Sequence, residues 1–310
     1  MPAYPSYLAL AGTGELEERI ARACELLVSC TVCPRHCSVD RTRGDLGYCK
    51  GGLLPKVSSS GPHFGEEPPL VGRHGSGTIF LAGCNMACAF CQNYGISQCY
   101  HGEDVSCDHL ARQMLALQGL GCHNINFVSP SHFVPQILTA IGIAASRGLS
   151  IPLVYNCGGY DLPETVRLLD GVFDIYMPDA KYGDDEIAIA LSDAPDYTRF
   201  MKQSLREMHR QVGDLAIEGG VARRGLIIRH LVLPENLAGT ETVMEFIARE
   251  ISPDSYVNIM DQYRPTWKVL EDGHPLYRKL RRRITPKEYR DAVEWAKYAG
   301  LHRGIPFDSR

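Results

Sequence analysis

Six short apolar runs, each closed by polar residues and most followed by a helical stretch, set the strongest limit on how this 310-residue chain can fold. They are Thr78 to Ala82, Asn124 to Val128, Pro152 to Tyr155, Val172 to Met177, Leu226 to Leu233 and Tyr256 to Met260. Between most of them apolar residues recur at helical spacing, in Asp108 to Leu120, Phe133 to Arg147, Leu162 to Leu169 and Thr240 to Ile251. Strands that alternate with helices in this way make βαβ units and a parallel sheet. Six units are too few to close an eightfold barrel. At 45% hydrophobic the chain can bury one sizeable core, and its length allows one large α/β domain or two small ones.

In parallel α/β barrels the working residues stand at the C-terminal ends of strands. Each of the six runs carries something polar there. A cysteine-rich loop follows the first, Ser129-Pro130-Ser131-His132 the second, Asn156-Cys157-Gly158-Gly159 the third and Asp179-Ala180-Lys181 the fourth; the fifth contains Arg229-His230, and Asp261-Gln262-Tyr263 follows the sixth. Any one of these groups has a bland reading as a helix N-cap or a loop hydrogen bond, and Ser131 is placed to cap the helix expected from Phe133. Six in succession favour a site.

The loop after the first run holds Cys84, Cys88 and Cys91 in the spacing C-x3-C-x2-C. Three thiolates on one tight loop suit three irons of a 4Fe-4S cluster, and the next cysteine, Cys99, lies beyond a Gly-containing turn, so one iron is expected to stay open for chemistry. A zinc site is the alternative, although zinc cysteines usually come in pairs and need a fourth ligand. Packing accounts for the triplet less well, because Asn85, Ala87 and Ala89 between the cysteines follow neither helix nor strand period.

With Phe90 directly before its last cysteine, the triplet resembles the signature of radical S-adenosylmethionine enzymes. The stretch Gly77 to Gln98, followed by Asn124 to Pro135, Ile151 to Asp161, Asp174 to Tyr182, Ile227 to Pro234 and Met260 to Pro265, is similar to the branch of pyruvate formate-lyase activating enzymes, over about residues 25 to 300. The resemblance implies an open partial (β/α)6 TIM-type barrel over residues 78–310, with a C-terminal helical extension. It also implies a cluster on Cys84, Cys88 and Cys91, reductive cleavage of S-adenosylmethionine to a 5'-deoxyadenosyl radical, and abstraction of a hydrogen atom. Phe90 matches the residue whose backbone faces the adenine. Asp179 and Lys181 match an Asp-x-Lys of the activating enzymes, and Arg229 is a candidate partner for a carboxylate or ribose because its planar fork suits bidentate contacts. The family's Gly-Gly-Glu grip on the methionyl amine is replaced by Ser129-Pro130-Ser131, and Asn156 stands where those enzymes have an acidic residue. Implied partners are an electron donor such as flavodoxin or ferredoxin and a glycyl-radical enzyme whose glycine gives up the hydrogen. Direct modification of a small molecule or peptide is the alternative, and a non-enzymatic iron-sulfur electron carrier a second one that would have no need of a polar cavity.

Ahead of the barrel, residues 1–50 form a cysteine-rich head and 51–77 a Gly/Pro/Ser-rich connector. Glu15 to Val28 reads as a helix leading to Cys30-x2-Cys33-x3-Cys37-x11-Cys49, four thiolates that suit zinc or a second iron-sulfur cluster. So small and polar a segment cannot bury enough apolar surface to order itself, which couples its folding to metal binding. Twelve cysteines without a basic leader or a long apolar stretch point to a reducing cytoplasm. No run approaches the ~18 residues of a membrane span. A net charge of −4 argues against a general nucleic-acid binder, and the basic run 278–283 reads as a solvated helix face. Cys24, Cys107 and Cys122 read as core thiols; Cys157, near the expected cavity, reads as a small buried thiol with hydrogen-atom donation or ligation as the alternative, and His132 and His230 read either as hydrogen-bonded core histidines or as contacts to substrate or a metal.

Overall fold

The computed structural model describes residues 4–271 and 273–306. Its strands are β1 (Lys56–His63), β2 (Ser76–Leu81), β3 (Glu103–Asp104), β4 (Ile125–Val128), β5 (Leu153–Cys157), β6 (Ile175–Pro178), β7 (Ala216–Glu218), β8 (Val221–Leu231) and β9 (Tyr256–Met260). Six of them pair in parallel in the order β2-β4-β5-β6-β8-β9, so each of the six expected runs supplies one strand. The sheet is not closed. At one edge β1 runs antiparallel to β2, with β3 beyond it, and β7 forms a hairpin with the first half of β8. This is the open partial (β/α)6 barrel.

The twofold period of the strands divides their side chains between two environments. On one face Phe127, Tyr155 and Tyr176 pack with Phe173 beneath the surrounding helices. On the other, Val154, Ile175 and Ile227 meet Leu70, which a short turn of helix, Pro68–Val71, inserts into the barrel. Two residues further along those same strand faces lie Asn156, Met177 and Arg229. The apolar floor and the polar strand ends are therefore one continuous surface.

Four expected helices appear within a few residues of their anticipated bounds, as Cys107–Gly119, Val134–Ser146, Pro163–Leu168 and Thr240–Phe246, the last continuing as a π-turn to Ile251. The first expected helix spans Glu15–Glu25, buries Leu16 and Ala23, and packs on Val134–Ser146. Further helices are Tyr7–Thr13, Asp185–Ser192 and Tyr197–Val212, of which the last buries Met201, Leu205, Met208 and Val212 on one stripe. The connector contains β1, whose Ser58-Ser59-Ser60-Gly61-Pro62 is poor strand sequence and is held by pairing with β2. The charged residues of the basic run 278–283 are exposed, as expected, but the helix ends at Lys279; Arg281 donates to Val269 O and Glu271 O and Arg282 pairs with Glu288, so the rest of the run fastens a turn. No helix among the described residues is long and apolar enough to cross a membrane.

Candidate functional site

The triplet loop leaves β2 through Ala82 and Gly83. Gly83 has φ 86°, and a side chain there would collide with the Cys49 carbonyl oxygen. The loop then pairs along residues 191–192, with Ala87 N donating to Ser192 O (2.9 Å) and Ala89 N to Leu191 O (2.7 Å). These contacts turn the three thiols toward one side. Met86 N donates to Cys84 Sγ (3.4 Å), Ser192 Oγ to Cys88 Sγ (3.0 Å), and Ser97 Oγ lies 3.2 Å from Cys91 Sγ. Each sulfur is thus supplied with one N–H or hydroxyl, the environment that suits a thiolate ligand. Burial pushes the Cys84 thiol up to about 12, so ionisation of this loop needs the positive charge that a metal centre provides. The donor set fits an iron-sulfur cluster.

The three cysteines share a cavity of about 160 Å³ with the polar strand ends. Ser129, Ser131, Asn156, Asp179, Lys181 and Arg229 all line it, so six of the residues singled out from four different strand ends converge there. Arg229 forks between two of them, donating from Nε to Asp179 Oδ1 (2.8 Å) and from Nη2 to Asn156 Oδ1 (2.8 Å). The Lys181 ammonium pairs with the other carboxylate oxygen of Asp179. Burial alone would raise the Asp179 carboxyl, but Arg229 and Lys181 outweigh it and hold the group below its usual range. Burial would likewise lower Lys181, and the Asp179 carboxylate keeps it well above the ordinary lysine value. Two cations therefore share the Asp179 carboxylate on the wall facing the thiols.

The remaining singled-out residues lie in varied settings. Phe90 is buried edge-on against Tyr263 (5.7 Å between ring centres), and its side chain is not among those lining the cavity. Ser131 makes no cap: Phe133 is the N-cap residue of Val134–Ser146, and Ser131 stands near the buried Asp161 carboxyl, which accepts from Tyr155 Oη (2.8 Å). Cys122 is a buried core thiol, Cys157 is buried beside Asp161 and also lines the cavity, and Cys24 and Cys107 are half-buried on helices. His230 is fully buried between Ala180 O (2.6 Å) and Thr240 Oγ1 (2.9 Å), and His132 Nε2 meets Ala82 O (2.9 Å); burial lowers both imidazoles to about 4. Both are core histidines.

Several participants were not legible in the sequence. The Tyr197 hydroxyl, on a helix after β6, donates toward Gly158 O (2.9 Å) and Asp179 O (3.0 Å) and accepts from Lys181 N (2.9 Å). Ser192 and Ser97 reach the cysteines only through folding. Glu67, whose two oxygens accept from Asn258 Nδ2 (2.8 and 2.7 Å), places its carboxylate near Arg229 from inside the barrel. The four head cysteines, Cys30, Cys33, Cys37 and Cys49, line a second, small cavity together with Arg41 and His132. Among the described residues no three His, Cys, Asp or Glu side chains are closed up round one ion-sized point, in this cavity or at the triplet.

The sequence model of the radical SAM superfamily matches residues 78–247, more than half of the chain. An uncharacterized protein of Methanocaldococcus jannaschii, MJ0674, is 31% identical over 293 residues, covering 92% of this chain and 79% of its own. Two structures of HydG, a maturase of the FeFe-hydrogenase, superpose on 73% of this chain at 12% identity, one with a TM-score of 0.48 and the other, from Carboxydothermus hydrogenoformans, with 0.49. The chain spans about half the length of those two maturases, 49% and 51%. With the triplet on the loop after the first barrel strand and the family match across the barrel, the chain belongs to the radical SAM superfamily.

Proposed function

We propose that this protein is a radical enzyme that removes a hydrogen atom from its substrate, with Cys84, Cys88 and Cys91 holding three irons of a 4Fe-4S cluster. The observation that carries the reading is the single cavity in which these thiols face Asn156, Asp179, Lys181 and Arg229. Bound there, the cluster and S-adenosylmethionine would supply the one-electron chemistry that hydrogen-atom abstraction requires. The chain's own part is to orient and to exclude. Lys181 and Arg229 give the cavity wall two cations able to receive a carboxylate, and Asp179 fixes where those cations stand. Ser129 and Ser131, in place of a Gly-Gly-Glu grip, offer hydroxyls toward the methionyl amine, and Phe90 offers its backbone to the adenine. Val128, Met86 and Gly158 leave the lining short and partly apolar, which limits the water and thiols that would quench a radical. The hydrogen donor, from the resemblance to the activating enzymes, is a glycine of a partner protein, and a flavodoxin or ferredoxin delivers the electron. The head cysteines Cys30, Cys33, Cys37 and Cys49 hold a second metal, as zinc or as a further cluster.

The test is anaerobic. Reconstituted protein given dithionite and S-adenosylmethionine should slowly release 5'-deoxyadenosine and methionine without substrate, and extract fractions containing the partner should accelerate it and acquire a doublet electron spin resonance signal. A loaded cluster with neither product would overturn the enzyme reading.

A further inference from the structure

Arg41 lies on the turn Arg41–Arg43 of the head and is 1% exposed, the largest of the fully buried side chains. Among the described residues no carboxylate pairs with it. Its Nε and Nη2 donate to Gly52 O (3.1 and 2.7 Å), and its Nη1 donates to His132 O (2.7 Å) and faces Cys30 Sγ at 4.0 Å. Of the other head sulfurs, Cys37 receives the Tyr48 N–H (3.4 Å) and Cys49 the Gly51 N–H (3.4 Å), and the Arg35 N–H lies near Cys33. Three of the four sulfurs round this one cavity thus face an N–H donor, a setting that thiolates satisfy better than thiols. A buried guanidinium also needs an anion near it, and four thiolates round a doubly charged metal centre keep net negative charge.

The same guanidinium reaches the triplet. His132, whose carbonyl it holds, places its ring Nε2 on Ala82 O (2.9 Å), two residues before Cys84. Gly83 is pressed on the Cys49 carbonyl, and a side chain at Gly51 would meet Arg41 Nη2 and the His132 and Phe133 rings. Neither approach leaves room for a Cβ. The last head cysteine and the start of the triplet loop are therefore packed backbone to backbone, with Arg41 and His132 as the tie between them.

We infer that the head metal centre and the triplet form one metal-dependent unit, in which Arg41 serves as counter-charge to the head thiolates and as the positioning residue that passes their order to the triplet loop. This rests on the reading of the four head cysteines as a metal centre. Loading the head fixes Cys49, Gly51 and Arg41; they in turn fix Ala82 and Gly83, and with them the direction in which Cys84 leaves β2. By linkage the coupling acts both ways, so iron at the triplet tightens the head metal by the same factor.

The experiment measures zinc and iron in holoprotein, Cys33→Ser, Arg41→Met and Cys88→Ala, with far-ultraviolet circular dichroism as the check on folding. Holoprotein is expected to carry one cluster plus one zinc, or two clusters. In Cys33→Ser and Arg41→Met both head metal and triplet iron should bind more weakly, by about 10–100-fold where only the outer contact of Arg41 is lost, with the charge-transfer absorption of the triplet cluster altered. In Cys88→Ala the head metal affinity should fall by a similar factor, which tests the coupling even where an Arg41 variant does not fold. Holoprotein with triplet iron and no second metal would overturn the metal centre itself. Head metal lost in Cys33→Ser, with triplet iron and its spectrum unchanged, would overturn the coupling and leave the metal centre standing.

Discussion

Asp179, Lys181 and Arg229 are held in an order of charges that only the folded strand ends create. The sequence singled out all three, from an Asp-x-Lys after one strand and an arginine in the next, but could not show that Asp179 sits between the two cations. Nor could it show Glu67, which comes from the connector and approaches Arg229 from within the barrel. Because the carboxylate is buried with its partners, Asp179→Ala leaves the Lys181 ammonium without its ion pair and Arg229 with only the Glu66 and Glu67 carboxylates, and should cost about 3–5 kcal/mol, read as a lower urea midpoint. Lys181→Ala removes one cation from a pair that keeps its other member, so the chain should stay folded with full iron content. Its loss should fall on S-adenosylmethionine, as weaker binding or slower turnover on the order of tenfold. Lower iron in Lys181→Ala, with cofactor binding unchanged, would move the residue from the cofactor to the cluster loop.

The six parallel strands were legible because each is a compact apolar run with a polar end, and their periods survive in any context that buries both faces. β1 was not, since Ser58-Ser59-Ser60-Gly61-Pro62 gains its structure from the exposed edge of β2 and not from its own propensity. The helix Tyr197–Val212 carries the same lesson toward the site. Its buried stripe is a packing signal, yet its first residue turns a hydroxyl onto the ends of β5 and β6, where Gly159 (φ 75°) allows the chain to pass close under the Asp179 carbonyl. Tyr197→Phe keeps the ring and strands three backbone groups without their partner. We expect a loss of ~1–3 kcal/mol, with a matching rise in the cofactor concentration needed for half-maximal cleavage, because Asp179 and Lys181 are pinned by that hydroxyl. A stability loss with cofactor cleavage unaffected would confine Tyr197 to holding the strands together.

The barrel as a whole encloses two neutral histidines, and that gives its stability a direction in pH. His132 ties the head to the triplet loop, and His230 lies between β6 and the helix that starts at Thr240, so neither can gain a proton without bringing charge into a dry interior. Both ring pKa values are lowered by burial to about 4, against 6.5 in the unfolded chain. Between those values the unfolded state binds protons that the folded state does not, so stability rises with pH across the window and is lost as pH falls from 6.5 toward 4. Each histidine contributes about 1.4 kcal/mol per pH unit there. Wild-type protein should therefore show a clearly lower urea midpoint at pH 5 than at pH 7, with most of the loss coming below pH 6.5. His230→Gln keeps an amide for Ala180 O or Thr240 Oγ1 and cannot titrate, so it should be less stable at pH 7 yet lose roughly half as much on acidification. Equal losses in wild type and His230→Gln would mean that His230 takes up its proton in the fold as readily as in the unfolded chain, and that the nearby Asp179 carboxylate offsets the cost of burial.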